Sequence, residues 1–171
     1  RAMHAASLMK NGKVLITGGR SATPFDGIEI YYPSTNTFDM LDDIDTGMTQ
    51  HTSTVRSDGK VLINTNLKTY LYDPDDNVAT DQYSTFGLTT YAQSATLLPS
   101  GSVLLTGGHN STTSHDEYYL YGSSMGYMGI MNTPRAYHSS TLLPDGRALV
   151  CGGKQLYDGT VHASCAAYTQ S

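Results

Sequence analysis

Apolar residues in this chain fall in short unbroken runs, not at helical spacing. Val14-Leu-Ile16, Val61-Leu-Ile63, Val103-Leu-Leu105 and Ala148-Leu-Val150 each follow a turn dipeptide, Asn11-Gly12, Asp58-Gly59, Ser100-Gly101 or Asp145-Gly146. Asn-Gly and Asp-Gly allow positive φ at both central positions, so each turn predicts a hairpin. An apolar run without alternation predicts a strand buried on both faces. Ahead of each turn lies a run of small side chains, beginning at His4, His51, Gln93 and His138, which suits an innermost strand where sheets converge. Behind each apolar run comes Gly18-Gly19, Thr65-Asn66, Gly107-Gly108 or Gly152-Gly153, then a tyrosine-bearing strand ending near Tyr32, Tyr72, Tyr121 and Tyr168. A weak outer strand is expected near Phe38, Val78 and Tyr127, and the fourth is missing.

The turn glycines at 12, 59, 101 and 146 recur every 42–47 residues, about the length of one four-stranded propeller blade. The predicted fold class is therefore all-β, with repeats at about 1–47, 48–88, 89–132 and 133–171 in a single propeller region. Three blades are complete and the fourth lacks its outer strand. The pattern resembles the kelch repeat, in which Arg-x-x-His, a small strand, Asp-Gly, an apolar strand, Gly-Gly and a Tyr strand follow in order. Arg1/His4 and Arg135/His138 match its start, and three of the four Gly-Gly pairs match. The absence of Trp and the Thr65-Asn66 pair depart from it, and the second blade is expected to be degenerate. Because the pattern opens at an inner strand and stops after a third, two blade faces are expected to be open. Further blades of a larger propeller, another chain or self-association would cover them, with a closed four-bladed ring less favoured.

Composition narrows the partners. A net charge of −5 without any Lys/Arg cluster argues against nucleic acid, and no apolar stretch is long enough to span a bilayer as a helix. Cys151 and Cys165 are too few for a disulfide framework or a zinc site. Two buried thiols are the default expectation, although a turn at Asp158-Gly159 would set the pair opposite each other. Asn110-Ser111-Thr112 is a glycosylation sequon, meaningful in an exported eukaryotic protein.

Chemistry-bearing residues are sparse. His4, His51, Gln93 and His138 occupy one slot, eight residues before each turn glycine, and would circle the axis of a closed ring. Such a ring could hold a metal, but a packing role, bonded to backbone of the next blade, is preferred. Strand direction places these residues on the same rim as the variable loops 20–27, 109–116 and 154–162, with 42–50 and 81–90 beside them. Arg20, His109, His115, Asp116, Tyr157, Asp158 and His162 are the candidate binding residues there. Two acidic turns, at Asp73-Asp75-Asp76 and Asp42-Asp43-Asp45, lack the glycine and closing Glu of a calcium loop.

The fourth repeat also resembles blades of galactose/glyoxal oxidases, which implies copper ligation by Tyr137 and His138. That resemblance requires a tyrosine-linked cysteine near the axis and a further histidine, and no inner strand here carries Cys. The expected function is thus a non-catalytic module that binds protein, peptide or glycan through one rim, without a cofactor. The alternatives are a structural component assembling through open blade faces and a segment of a secreted copper oxidase. An extracellular or cell-surface setting is preferred.

Overall fold

The computed structural model describes residues 1–23, 25, 27–41, 43–44, 48–84 and 90–169. Among them the chain is all-β without helix, and four antiparallel sheets form the blades of a β-propeller. Two compact units, Arg1–Gly87 and Leu88–Ser171, hold two blades each. Among the described residues no helix is long and apolar enough to cross a membrane.

Blade 1 has the strand order β1 (Ala5–Leu8), β2 (Val14–Thr17), β3 (Ile28–Tyr32) and β4 (Thr37–Met40). Blade 2 repeats the order with β5 (Thr52–Val55), β6 (Val61–Asn64), β7 (Lys68–Asp73) and β8 (Val78–Ser84). In the second unit, blade 3 is β9 (Ser94–Leu97), β10 (Val103–Thr106), β11 (Glu117–Tyr121) and β12 (Met125–Ile130). Blade 4 has three described strands, β13 (Ser139–Leu142), β14 (Ala148–Cys151) and β15 (Cys165–Tyr168). Part of the expected loop 81–90 is strand, since β8 extends to Ser84.

Within each unit the inner strands meet through small hydroxyl side chains. Ser7 Oγ lies 2.7 Å from Ser53 Oγ, and Thr96 and Ser140 make the same contact between blades 3 and 4. Larger side chains could not approach so closely. Further out, Leu15, Ile28 and Ile30 of blade 1 pack against Val61, Ile63, Tyr70 and Tyr72 of blade 2, all at most 4% exposed. In the second unit Leu98, Leu104 and Ala148 form one buried cluster between blades 3 and 4, with Tyr118 against Tyr168 at 5.1 Å.

The second blade is complete despite its Thr65-Asn66 pair. Thr65 Oγ1 donates to Lys68 O and accepts from the Leu67 and Lys68 amides, closing a tight loop without a glycine. The expected pair of buried thiols is corrected. Cys151 and Cys165 are cross-strand partners in the β14–β15 register, 4.1 Å apart at Cα, and form a disulfide. Cys151 is half-buried and Cys165 exposed, so the pair is not the buried one expected, and the register sets the two side chains directly opposite each other. Replacing both by Ser should cost about 3 kcal/mol, the loss expected when a loop of this length is no longer closed in the unfolded chain. Urea unfolding with and without reductant checks this: reductant should shift the wild-type midpoint and leave the Ser variant unchanged.

Candidate functional site

The slot histidines are positioned by the end of the neighbouring second strand. His51 Nε2 lies 2.7 Å from Thr17 Oγ1, and His138 Nε2 lies 2.8 Å from Thr106 Oγ1. The partner is thus a hydroxyl of the preceding blade, not backbone of the following one as expected from the sequence. The reason is geometric: Thr17 and Thr106 end their strands facing the next blade, immediately before glycines that leave room for the imidazole. Both rings are more than nine-tenths buried, and their Nδ1 atoms have no hydrogen-bond partner. Burial pushes both pKa values down to about 4; the nearby His4 adds to the effect for His51, and Arg135 does so for His138. His4 is exposed and Gln93 half-buried. Among the described residues no three His, Cys, Asp or Glu side chains converge to hold a metal.

The residue just before each slot has a left-handed backbone in all four blades: Met3 (φ 59°), Gln50 (φ 55°), Ala92 (φ 53°) and Tyr137 (φ 58°). None is glycine, so each carries a conformational cost of about 1–2 kcal/mol that its surroundings must offset. They do so in two ways. The Gln50 amide donates to Met3 O at 3.2 Å and the Tyr137 amide to Ala92 O at 3.0 Å, linking successive blades. The residue before each of Met3, Ala92 and Tyr137 exchanges paired backbone hydrogen bonds with the residue after the Gly-Gly pair: Ala2 with Arg20, Tyr91 with His109, and Ala136 with Lys154. Every one of those partners is a basic or imidazole side chain.

In the second unit these positions build a connected cluster. His109 Nδ1 faces the Asn110 carbonyl, which can only accept, so Nδ1 carries the proton. In the neutral ring Nε2 then accepts from the Tyr137 hydroxyl, 3.1 Å away. The two rings stack at 5.3 Å, Tyr91 lies 5.7 Å from His109, and Lys154 Nζ sits 4.9 Å from the Tyr137 ring centroid. Ser114, itself buried, ties the neighbouring loops together by donating to Lys154 O at 3.3 Å and accepting from the Leu156 amide at 3.0 Å. Tyr137 remains 49% exposed above this support.

The sequence candidates divide accordingly. His109 belongs to the cluster, and Arg20 holds the matching rim position in the first unit, exposed beside Met3. His115 is buried and turned to Glu117 at 3.5 Å, while its own carbonyl accepts from the Arg135 amide. The Asp116 carbonyl accepts from the Met131 amide. Asp158 caps its own turn through the Thr160 amide at 2.9 Å, which with the Thr160 side chain holds its carboxyl below the usual range. His162 donates to Pro134 O at 3.0 Å, and Tyr157 stands alone, 82% exposed. Lys154 and Tyr91 were not singled out from sequence; their signal is register, one residue after Gly-Gly and two before the slot. Of the acidic turns, Asp73 pairs with Lys60 and caps Asp75, and Asp76 caps Val78. Asp42 and Asp45 lie outside the described residues.

The donor set does not fit the copper site that the oxidase resemblance implies. His138 is committed to Thr106, Tyr137 to His109, and both cysteines to each other, which leaves no thiol to link to a tyrosine. The fold defines the class, an all-β chain of four propeller-type blades, and each blade carries one left-handed residue other than glycine just before its slot. No family model matches the chain, and no curated protein matches it.

Proposed function

We propose that the chain is a non-catalytic, kelch-type propeller module that binds a protein, peptide or glycan through the rim at the start of its inner strands. The observation that supports this reading most is the series Met3, Gln50, Ala92 and Tyr137: one backbone conformation, costly for every one of these residues, repeated with four different side chains. A purely structural turn at this place would be served better by glycine. Three of the four, Met3, Gln50 and Tyr137, hold a large or polar group there at a cost, which is how binding surfaces are built on rigid scaffolds. Tyr137 with Lys154 and His109 offers an aromatic edge, a cation and an imidazole in one patch, supported from behind by Ser114 and Arg135. Arg135 suits that role, since its buried guanidinium donates to Gly152 O, Ser164 O and the Ser164 hydroxyl at 2.9–3.1 Å.

Arrays of oligosaccharides and of peptides, probed with the wild-type chain and with Tyr137→Ala and Lys154→Ala, test the reading. The expected result is a defined set of wild-type ligands whose affinity falls at least tenfold in both variants, about 1.4 kcal/mol or more. Binding that survives both changes undiminished, or no array ligand at all, overturns it. Copper-loaded protein is expected to show no alcohol or aldehyde oxidation; turnover would favour the oxidase reading instead.

A further inference from the structure

The junction inside each unit follows one rule. The leading blade ends its second strand in Thr-Gly-Gly; its hydroxyl takes the next blade's slot histidine, and its second glycine amide donates to the carbonyl three residues before that histidine. The latter bonds are Gly19 to Met48 at 2.7 Å and Gly108 to Arg135 at 2.9 Å. The following blade answers with one face of its second and third strands, represented in blade 2 by Val61, Ile63, Tyr70 and Tyr72.

Blade 1 carries a related face. Its register equivalents are Val14, Ile16, Glu29 and Tyr31, with Leu8 from the inner strand; Glu29, which stands where blade 2 has Tyr70, is paired with Arg1 at 2.7 Å. These four are half-buried where their blade 2 counterparts are fully buried; Leu8 is 68% exposed, and His4 is exposed. The Arg1-x-x-His4 entry repeats the Arg135-x-x-His138 entry with which blade 4 meets blade 3. We propose that this face of blade 1 is a docking surface for a further propeller blade whose second strand ends in a hydroxyl residue and two glycines, the hydroxyl engaging His4. A second copy of this chain is the poorer occupant. Its blade 4 would bring Cys151 to His4, and that sulfur is tied to Cys165 and offers no hydroxyl.

The chain itself supplies the probe. A copy of residues 90–134 joined ahead of Arg1 of the full chain reproduces the Pro134–Arg135 connection and places Thr106 of the added blade where His4 can meet it. Carbethoxylation of His4 should slow at least tenfold in this fusion, with slower amide exchange across β1 and β2. A Thr106→Val change in the added copy alone should return His4 toward its original rate while the amide protection persists. A second fusion, a copy of residues 1–47 carrying Thr17, should protect His4 equally. If His4 reacts in both fusions as fast as in the unmodified chain, the proposal is overturned. It is overturned as well if the unmodified chain sediments as a dimer with His4 already protected, which would assign the face to a second copy.

Discussion

Gly107→Ala and Gly18→Ala are each expected to destabilise their unit by about 4 kcal/mol, a large share of the stability of an ordinary domain. Two costs combine. The backbone is left-handed at both positions, φ 55° and 53°, which charges an alanine about 1–2 kcal/mol. The added Cβ would also lie 2.4 Å from Arg135 O and 2.9 Å from His138 Cε1 at Gly107, or 2.3 Å from Met48 O and 2.9 Å from His51 Cε1 at Gly18. Neither oxygen can retreat cheaply, because each carbonyl accepts a hydrogen bond from the very next glycine amide. The blades must separate, and the Thr–His bond is lost with them. Gly12→Ala is the control. Its φ is 80°, but a Cβ there meets nothing within 4 Å, so only the conformational cost of about 1 kcal/mol is expected. Urea midpoints of the three variants separate the junction cost from the backbone cost; equal losses in all three would remove the junction argument.

Acid is expected to loosen both units over a window that carboxylates do not explain. The folded pKa of His51 and of His138 is about 4, below the ordinary 6.5, so the neutral rings favour the folded state in full above pH 6.5. That contribution is lost as the pH falls from 6.5 toward 4, because the unfolded chain takes up protons the folded one refuses. Each histidine accounts for roughly 3 kcal/mol across the window. The structural cause is burial: a charged imidazolium would have to sit inside the junction, where His4 opposes it at His51 and Arg135 at His138. Asp73, Asp145 and Asp158, whose carboxyls are held below their usual range, act at lower pH still. Blade 3 suggests the control, since Gln93 already fills the slot there. In the double variant His51→Gln, His138→Gln, stability should be nearly flat between pH 6.5 and 4.5, while the wild type loses several kcal/mol. Matching slopes in the two proteins would show that the histidines are not responsible.

The strand order was legible because each strand has its own chemical signature. Turn dipeptides, three-residue apolar runs and tyrosines mark successive hairpins, and β1 to β15 fall where those signatures lie. Contacts between blades were less so. The histidine slot was visible as a repeat, but its partner, a threonine in the preceding blade, is set by how blades stack and not by local sequence. The disulfide was visible as a pairing and misjudged as chemistry, because register alone brings two cysteines together without saying whether their sulfurs are bonded. Least legible was the rim. Left-handed residues usually announce themselves as Gly or Asn, yet Met3, Gln50, Ala92 and Tyr137 share the conformation without sharing a residue type. Tertiary hydrogen bonds impose it, so only alignment of the four repeats with the structure brings the series out.

At the opposite ends of the blades Asn11, Asp58 and Asp145 each cap their own turn. The most direct test is a hydrogen-exchange footprint of the chain with its tightest array ligand. Protection confined to the segments around Met3, Gln50, Ala92 and Tyr137 and to the adjoining loops at Arg20, His109 and Lys154 is the predicted result. Protection centred instead on the outer strands β4, β8 and β12, or on the turns at Gly12, Gly59, Gly101 and Gly146, would contradict it.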